Sequence, residues 1–267
     1  VARLWGDGPA IPLYLTEPGR AAADLGLYLA ARPALVPRLP QGDGHPVLVL
    51  PGLLADDAST RVLRSVLRRL GYRVHGWRLG RNVGPTARCV QGMRDRIDDL
   101  SDRYGRPVSL VGWSLGGIFA RDLARRTPDS VRQVVTLGSP FRLTRHSQSH
   151  ASRVFDRYSH LHVEHRELPL ERDRAPLPVP ATSIYSHLDG IVHWRTCLDT
   201  PGERCENIAV LASHLGLGHH PAALWAVADR LAQPEGTWAP FRPPLVLRPA
   251  FPRPDVPATA PRTVAAA

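Results

Sequence analysis

The chain has no lysine: all 34 of its basic residues are arginine, so its cations stay charged at any ordinary pH. The usage reads as codon bias more than as chemistry. Cysteine is nearly as scarce. Cys89, Cys197 and Cys205 exclude a disulfide framework and allow at most one bridge. The turn-rich segment between Cys197 and Cys205 could close one, whereas Cys89 sits in a helical pattern and reads as a buried apolar filler. No run of 18 apolar residues occurs, which excludes a spanning helix. No basic n-region followed by an apolar h-region opens the sequence, so no signal peptide is visible. The first residue is Val1, upstream residues could precede it, and the compartment stays open.

Phosphate-binding glycine loops of the P-loop or dinucleotide type are also missing, and no cofactor is expected. The balance of 34 basic against 24 acidic residues gives +10, which favours adsorption to anionic or polymer surfaces. Without zinc-finger spacing, an aromatic ribonucleoprotein box or a block of clustered arginine, it does not point to specific nucleic-acid binding. His146, His150, His160, His162 and His165 crowd one stretch, but no cysteine or carboxylate completes a ligand set, and no metal is expected.

What is present is a chain of 267 residues, 43% hydrophobic and 22% charged, long enough for one sizeable core. Short apolar runs alternate with amphipathic stretches. Strands are expected at Val47–Leu50, Tyr72–Trp77, Pro107–Val111, Val131–Leu137, Ala181–Tyr185 and Asn207–Leu211. Helices are expected near Arg20–Ala31, from Val62 to Leu70, at Thr86–Tyr104, Leu115–Arg126 and Pro221–Ala232. This alternation implies an α/β fold of about six mostly parallel strands with helices on both faces. Residues 1–45 read as an N-terminal helical excursion packing on a core at 46–233. An insertion at about 141–178, with a helix near Ser149–Tyr158, is long enough to be a cap. The Pro-rich stretch 234–267 reads as a strap to about Pro254, with disorder beyond.

The sharpest motif is Gly112-Trp113-Ser114-Leu115-Gly116-Gly117, directly after one strand and directly before a helix. This is G-x-S-x-G in the setting it requires: small residues let a strained turn expose the Ser114 hydroxyl, and the helix starting at Leu115 aims its N-terminus at a developing oxyanion. From Pro46 to Ala232 the chain resembles the α/β-hydrolase family, in its lipase and carboxylesterase branch with a G-[HWY]-S-[LM]-G-G elbow. The resemblance implies a Ser, Asp, His order along the chain. His187-Leu188-Asp189-Gly190-Ile191-Val192 is similar to the family's D-G-x-V acid loop, and Ser213-His214-Leu215-Gly216-Leu217 to its histidine loop. Ser114 would attack, His214 would move the proton, and Asp189 would fix the imidazole. The rivals are His219 and His220, read as helix cap or exposed face, and Asp156, Asp173 and Asp199.

The resemblance also implies an oxyanion hole built from the Leu53 and Leu115 N–H groups, although Pro51 stands where the family usually has histidine. Leu54, Trp113, Ile191 and Val192 are the expected walls of the acyl pocket, with a core role as the alternative. These residues imply a serine esterase or lipase acting on a small-molecule or lipid-like ester through an acyl-enzyme. Alternatives are an acyltransferase on the same triad, a polyester-surface hydrolase and a non-catalytic binding module.

Overall fold

A computed structural model describes residues 8–163, 168–171, 175–200 and 202–255. The apolar runs, too short for buried helices, form β1 (Pro46–Leu50), β2 (Arg73–Gly76), β3 (Val108–Trp113), β4 (Val131–Leu137), β5 (Ala181–Ser186) and β6 (Cys205–Val210). All five pairings are parallel, in the order β2-β1-β3-β4-β5-β6. The helices are α1 (Ile11–Leu35), α2 (Arg61–Arg69), α3 (Ala87–Tyr104), α4 (Leu115–Arg126), α5 (Ser152–Arg157) and α6 (Pro221–Leu231). Thr86 caps α3, its hydroxyl accepting from Cys89 N–H at 3.1 Å, and Gly105 ends it at a φ of 58°.

Parallel strands are covered on both faces, so their side chains alternate between two cores. Val47, Val49, Val111 and Val135 face Leu63, Val66 and Leu67 of α2 and Leu224 and Val227 of α6. Leu48, Leu50, Leu110 and Val134 face Met93 and Ile97 of α3 and Ile118 and Phe119 of α4. The division follows from right-handed crossovers: the chain steps from β1 out to β2, then returns past β1 to β3 and continues away, so the helices change face. Loops leaving β1 and β3 therefore diverge at the carboxyl ends of adjacent strands, where open sheets of this kind leave a crevice.

Three segments differ from the sequence expectation. α1 begins at Ile11, well before Arg20, because Pro12 is tolerated in a first turn. Thr16 Oγ1 donates to Pro12 O at 2.7 Å, and Arg20 to Leu13 O at 2.7 Å. The expected helix at Ser149–Tyr158 contracts to α5, and β6 begins at Cys205. The thiols of Cys197 and Cys205 are free. Cys197 packs with Tyr185 and Leu198, while Cys205 belongs to the core on the α3 and α4 face, and Asp199 between them is held by Arg121 at 2.6 Å. Cys89 is buried and is in no disulfide among the described residues.

Arg121 of α4 is 1% exposed and also bonds Glu171 of the insertion at 2.7 Å. Although burial opposes its ionisation, the Arg125 and Arg121 guanidinium groups hold the Glu171 carboxyl below the usual carboxylate range. A charged pair fully removed from water costs much if one partner is lost, so the insertion is pinned to the core at this point. At the β6 edge of the sheet, residues 240–255 run beside that strand. Phe241 N–H donates to Glu206 Oε2 at 2.8 Å, the tilted rings of Phe241 and Phe251 meet at 4.9 Å, and a cavity of about 500 Å³ remains between strand and strap. The expected disorder beyond Pro254 concerns a stretch that, from residue 256, lies outside the described residues. No helix among the described residues is long and apolar enough to cross a membrane.

Candidate active site

Ser114 stands between β3 and α4 at φ 53° and ψ −122°, a conformation a non-glycine residue holds at a cost of about 1–3 kcal/mol. The turn survives because the residues two before and two after Ser114 have no side chains. A Cβ on Gly112 would lie 2.3 Å from Gly117 Cα, and one on Gly116 would lie 2.4 Å from Leu50 O. Ser114 N–H donates to Leu137 O of β4 at 2.8 Å, which fixes the turn to the sheet.

Asp189 follows β5 and His214 follows β6, and both side chains are buried. His214 Nδ1 meets Asp189 Oδ2 at 2.6 Å, while Asp189 Oδ1 accepts from the N–H groups of Ile191 and Val192, each at 2.8 Å. Burial works against a charged imidazole, but the adjoining Asp189 carboxylate outweighs it and raises the His214 pKa above the ordinary histidine value. The second ring nitrogen is left for the cavity that His214 shares with Ser114.

The rival residues have other partners. His220 caps α6, its ring accepting from Ala222 N–H at 3.2 Å, and His219 bonds Ala21 O at 3.1 Å. Asp156 faces His146 at 3.3 Å and Asp199 is taken by Arg121. Asp173 and His165 lie outside the described residues. In the insertion, His162 bonds Val83 O at 2.8 Å and His150 bonds Pro9 O at 3.2 Å. Among the described residues no cluster of three or more metal-ligating side chains is gathered.

Leu53 and Leu115 both border Ser114. The Leu115 N–H is one of the orphan donors of the first turn of α4, and among the described residues no acceptor takes the Leu53 N–H. The loop carrying Leu53 does not need a histidine in place of Pro51, because buried Asn82 holds it from two sides. Its side chain donates to Pro51 O at 2.8 Å, its carbonyl accepts from Leu54 N–H at 2.7 Å, and its N–H donates to Ala55 O at 2.8 Å. This keeps Leu54 at φ 59°. Asn82 carries no motif, and only its place in a loop beside two glycines hinted at a special turn.

Ser114 opens on two cavities. One, of about 280 Å³, is bordered by His214 together with Tyr14, Leu54, Trp113, Val154 and Ile191. The other, of about 260 Å³, is bordered by Val192, Leu115, Ile118, Phe155, Leu168 and Leu170, with Arg145 and His146 among its polar residues. The four expected wall residues are thus divided, with Val192 in one cavity and Leu54, Trp113 and Ile191 in the other. Trp113 also supports the histidine loop, its indole N–H donating to His214 O at 3.1 Å. Sequence reasoning missed Glu17 and Asp24 of α1, which reach the loops of Asp189 and His214 from a segment bearing no motif.

No family model matches the sequence. One curated relative, a pimeloyl-[acyl-carrier protein] methyl ester esterase of Aromatoleum aromaticum, is 35% identical over a stretch covering 27% of this chain and 38% of that esterase. The match therefore spans well under half of the relative's length. Among solved structures, Aspergillus fumigatus lipase B superposes with a TM-score of 0.59 at 16% identity, covering 72% of this chain and 53% of the lipase. A pyrethroid hydrolase from Sphingobium faniae superposes at 0.50 and 17% identity, covering 72% and 99%. With its parallel sheet order, its strand-turn-helix elbow at Ser114 and these likenesses, the chain has the α/β-hydrolase fold.

Proposed function

We propose that the chain is a serine hydrolase that cleaves carboxylic esters through an acyl-enzyme. The observation that carries this reading is the junction at Ser114: a serine held at positive φ opens on both cavities, one of which also holds a histidine paired to a buried aspartate. In this reading His214 Nε2 takes the hydroxyl proton as Ser114 Oγ bonds to the ester carbonyl carbon. The oxyanion is received by the N–H groups of Leu53 and Leu115. Its collapse breaks the bond to the alcohol oxygen, which leaves with the proton from His214. Water then attacks the acyl-enzyme by the same proton path, releasing the acid and restoring Ser114.

The proton path assigns the cavities. The departing oxygen must reach His214, so the alcohol part belongs in the cavity that His214 borders and the acyl chain in the other. Leu115, Ile118, Phe155, Leu168 and Leu170 suit an apolar acyl chain longer than acetyl. Tyr14, Leu54, Val154 and Leu215 are exposed around the His214 cavity and suit an apolar alcohol. The test is hydrolysis of a 4-nitrophenyl ester series from acetate to palmitate, with Ser114→Ala beside the wild type. A medium-chain optimum is expected, with at least about a 10⁴-fold loss in the variant. Equal activity in the variant, or a wild type inert on every ester, would overturn the reading.

A further inference from the structure

α1 is mostly exposed, and its buried residues are Glu17 and Tyr28. A carboxylate only 1% exposed on so thinly packed a helix needs compensation, because burying an unpaired charge is costly. Glu17 Oε1 accepts from Leu215 N–H at 2.9 Å, and Oε2 accepts from Gly190 N–H at 3.1 Å and from the Arg20 guanidinium. Leu215 directly follows His214 and Gly190 directly follows Asp189. One carboxylate thus ties together the two loops whose side chains form the imidazole–carboxylate pair. Two helical turns further on, Asp24 takes the other side of the histidine loop, accepting from Ser213 N–H at 2.9 Å and Ser213 Oγ at 2.6 Å.

Both loops are shaped for this contact. A Cβ on Gly190 would lie 2.4 Å from Leu13 O and 2.7 Å from Glu17 Oε2, and one on Gly216 would lie 1.9 Å from Asp24 Oδ2. Resting on the serine-hydrolase reading above, we propose that Glu17 is a positioning residue for Asp189 and His214, holding their loops in the register at which ring and carboxylate meet. α1 is then part of the catalytic apparatus, and its removal would free both loops.

The charge of Glu17 acts in the same direction. It adds to that of Asp189 in favouring the imidazolium, and Arg20 helps to keep Glu17 ionised. Burial, only partly offset by the Leu215 N–H and Arg20, keeps the Glu17 pKa above the usual carboxylate value. The other titratable or charged groups about His214 are Asp189 after β5, Tyr14 and Asp24 of α1, His150 of the insertion, and His219 and His220 on its own loop.

The experiment compares Glu17→Gln and Arg20→Gln with the wild type in two readouts. One is the pH profile of kcat/KM per serine titrated with a fluorophosphonate; the other is a histidine NMR titration of His214, assigned by its loss in His214→Gln. Glu17→Gln removes the charge and turns one acceptor into a donor facing a backbone N–H. Turnover per titrated serine should fall about tenfold, and the His214 titration should move down by roughly half a pH unit. Arg20→Gln removes the cation that holds Glu17 ionised and oriented, and should move the His214 titration in the same direction by less. Looser packing alone would lower the Tm and the titratable fraction of both variants without moving the His214 titration. If Glu17→Gln does not fold, the smaller downward shift in Arg20→Gln carries the test. A His214 titration unmoved in every variant that folds, with wild-type turnover per serine, would overturn the proposal. A wild type inert toward esters and fluorophosphonate would instead sink the hydrolase reading, while the NMR titration would still report whether Glu17 acts on His214.

Discussion

The two halves of the site are held in different ways. Ser114 and the Leu53 loop are fixed by the sheet itself: two glycines pressed against backbone, a hydrogen bond to the end of β4, and Asn82 on the loop beyond β2. Asp189 and His214 ride on longer loops whose stays come from α1, across 173, 198 and 189 residues of sequence. In the proposed mechanism the attacking atom is therefore placed by the fold, and the proton-moving pair by contacts from a separate helix. Damage to the first half should cost transition-state geometry, whereas damage to the second should also change the response to pH.

Three measurements would break or sharpen this contrast. The largest effect is expected for Asp189→Asn. The amide would present a donor to His214 Nδ1 and favour the wrong tautomer, so kcat should fall about 10³–10⁴-fold with a near-native Tm; a loss under tenfold would remove Asp189 from the proton path. Asn82→Ala should be milder, about 10–100-fold in kcat with KM changed only a few-fold, because the Leu53 N–H loses its backing while substrate contacts stay. An effect confined to KM would mean that the loop binds substrate without receiving the oxyanion. The smallest test needs no variant. His214 must be neutral to accept the serine proton, and its pKa is raised, so kcat/KM should be lost as pH falls through a value above about 6.5. In Asn82→Ala this limb should stay in place; if it moves, the two halves are coupled.

What the sequence conceals is the set of contacts that hold the two halves in place. The elbow at Ser114 is written in contiguous residues, β5 ends at Ser186 just ahead of the Asp189 loop, and the parallel alternation is plain in short apolar runs. Such signals are local, set by spacing and by steric need. Glu17 and Asp24 lie on a helix of weak amphipathicity interrupted by Pro18, and a contact spanning nearly two hundred residues leaves no periodic trace. Asn82 is hidden for the same reason: its role is to hydrogen-bond the backbone of a loop some thirty residues away. The division of the wall residues between two cavities was equally illegible, since neighbours such as Ile191 and Val192 face opposite sides of Ser114.

The strap beside β6 bears on how the protein behaves in company. β6 has a neighbour on one side only, and a free edge is a template for pairing with another chain. Pro240, Pro243, Pro244, Pro249, Pro252 and Pro254 lack the N–H that a seventh strand would need, so the strap can shield the edge without extending the sheet. Its contribution is to colloidal stability: ending the chain before Pro234 should lower the concentration at which light scattering rises while turnover per titrated serine stays close to that of the full chain.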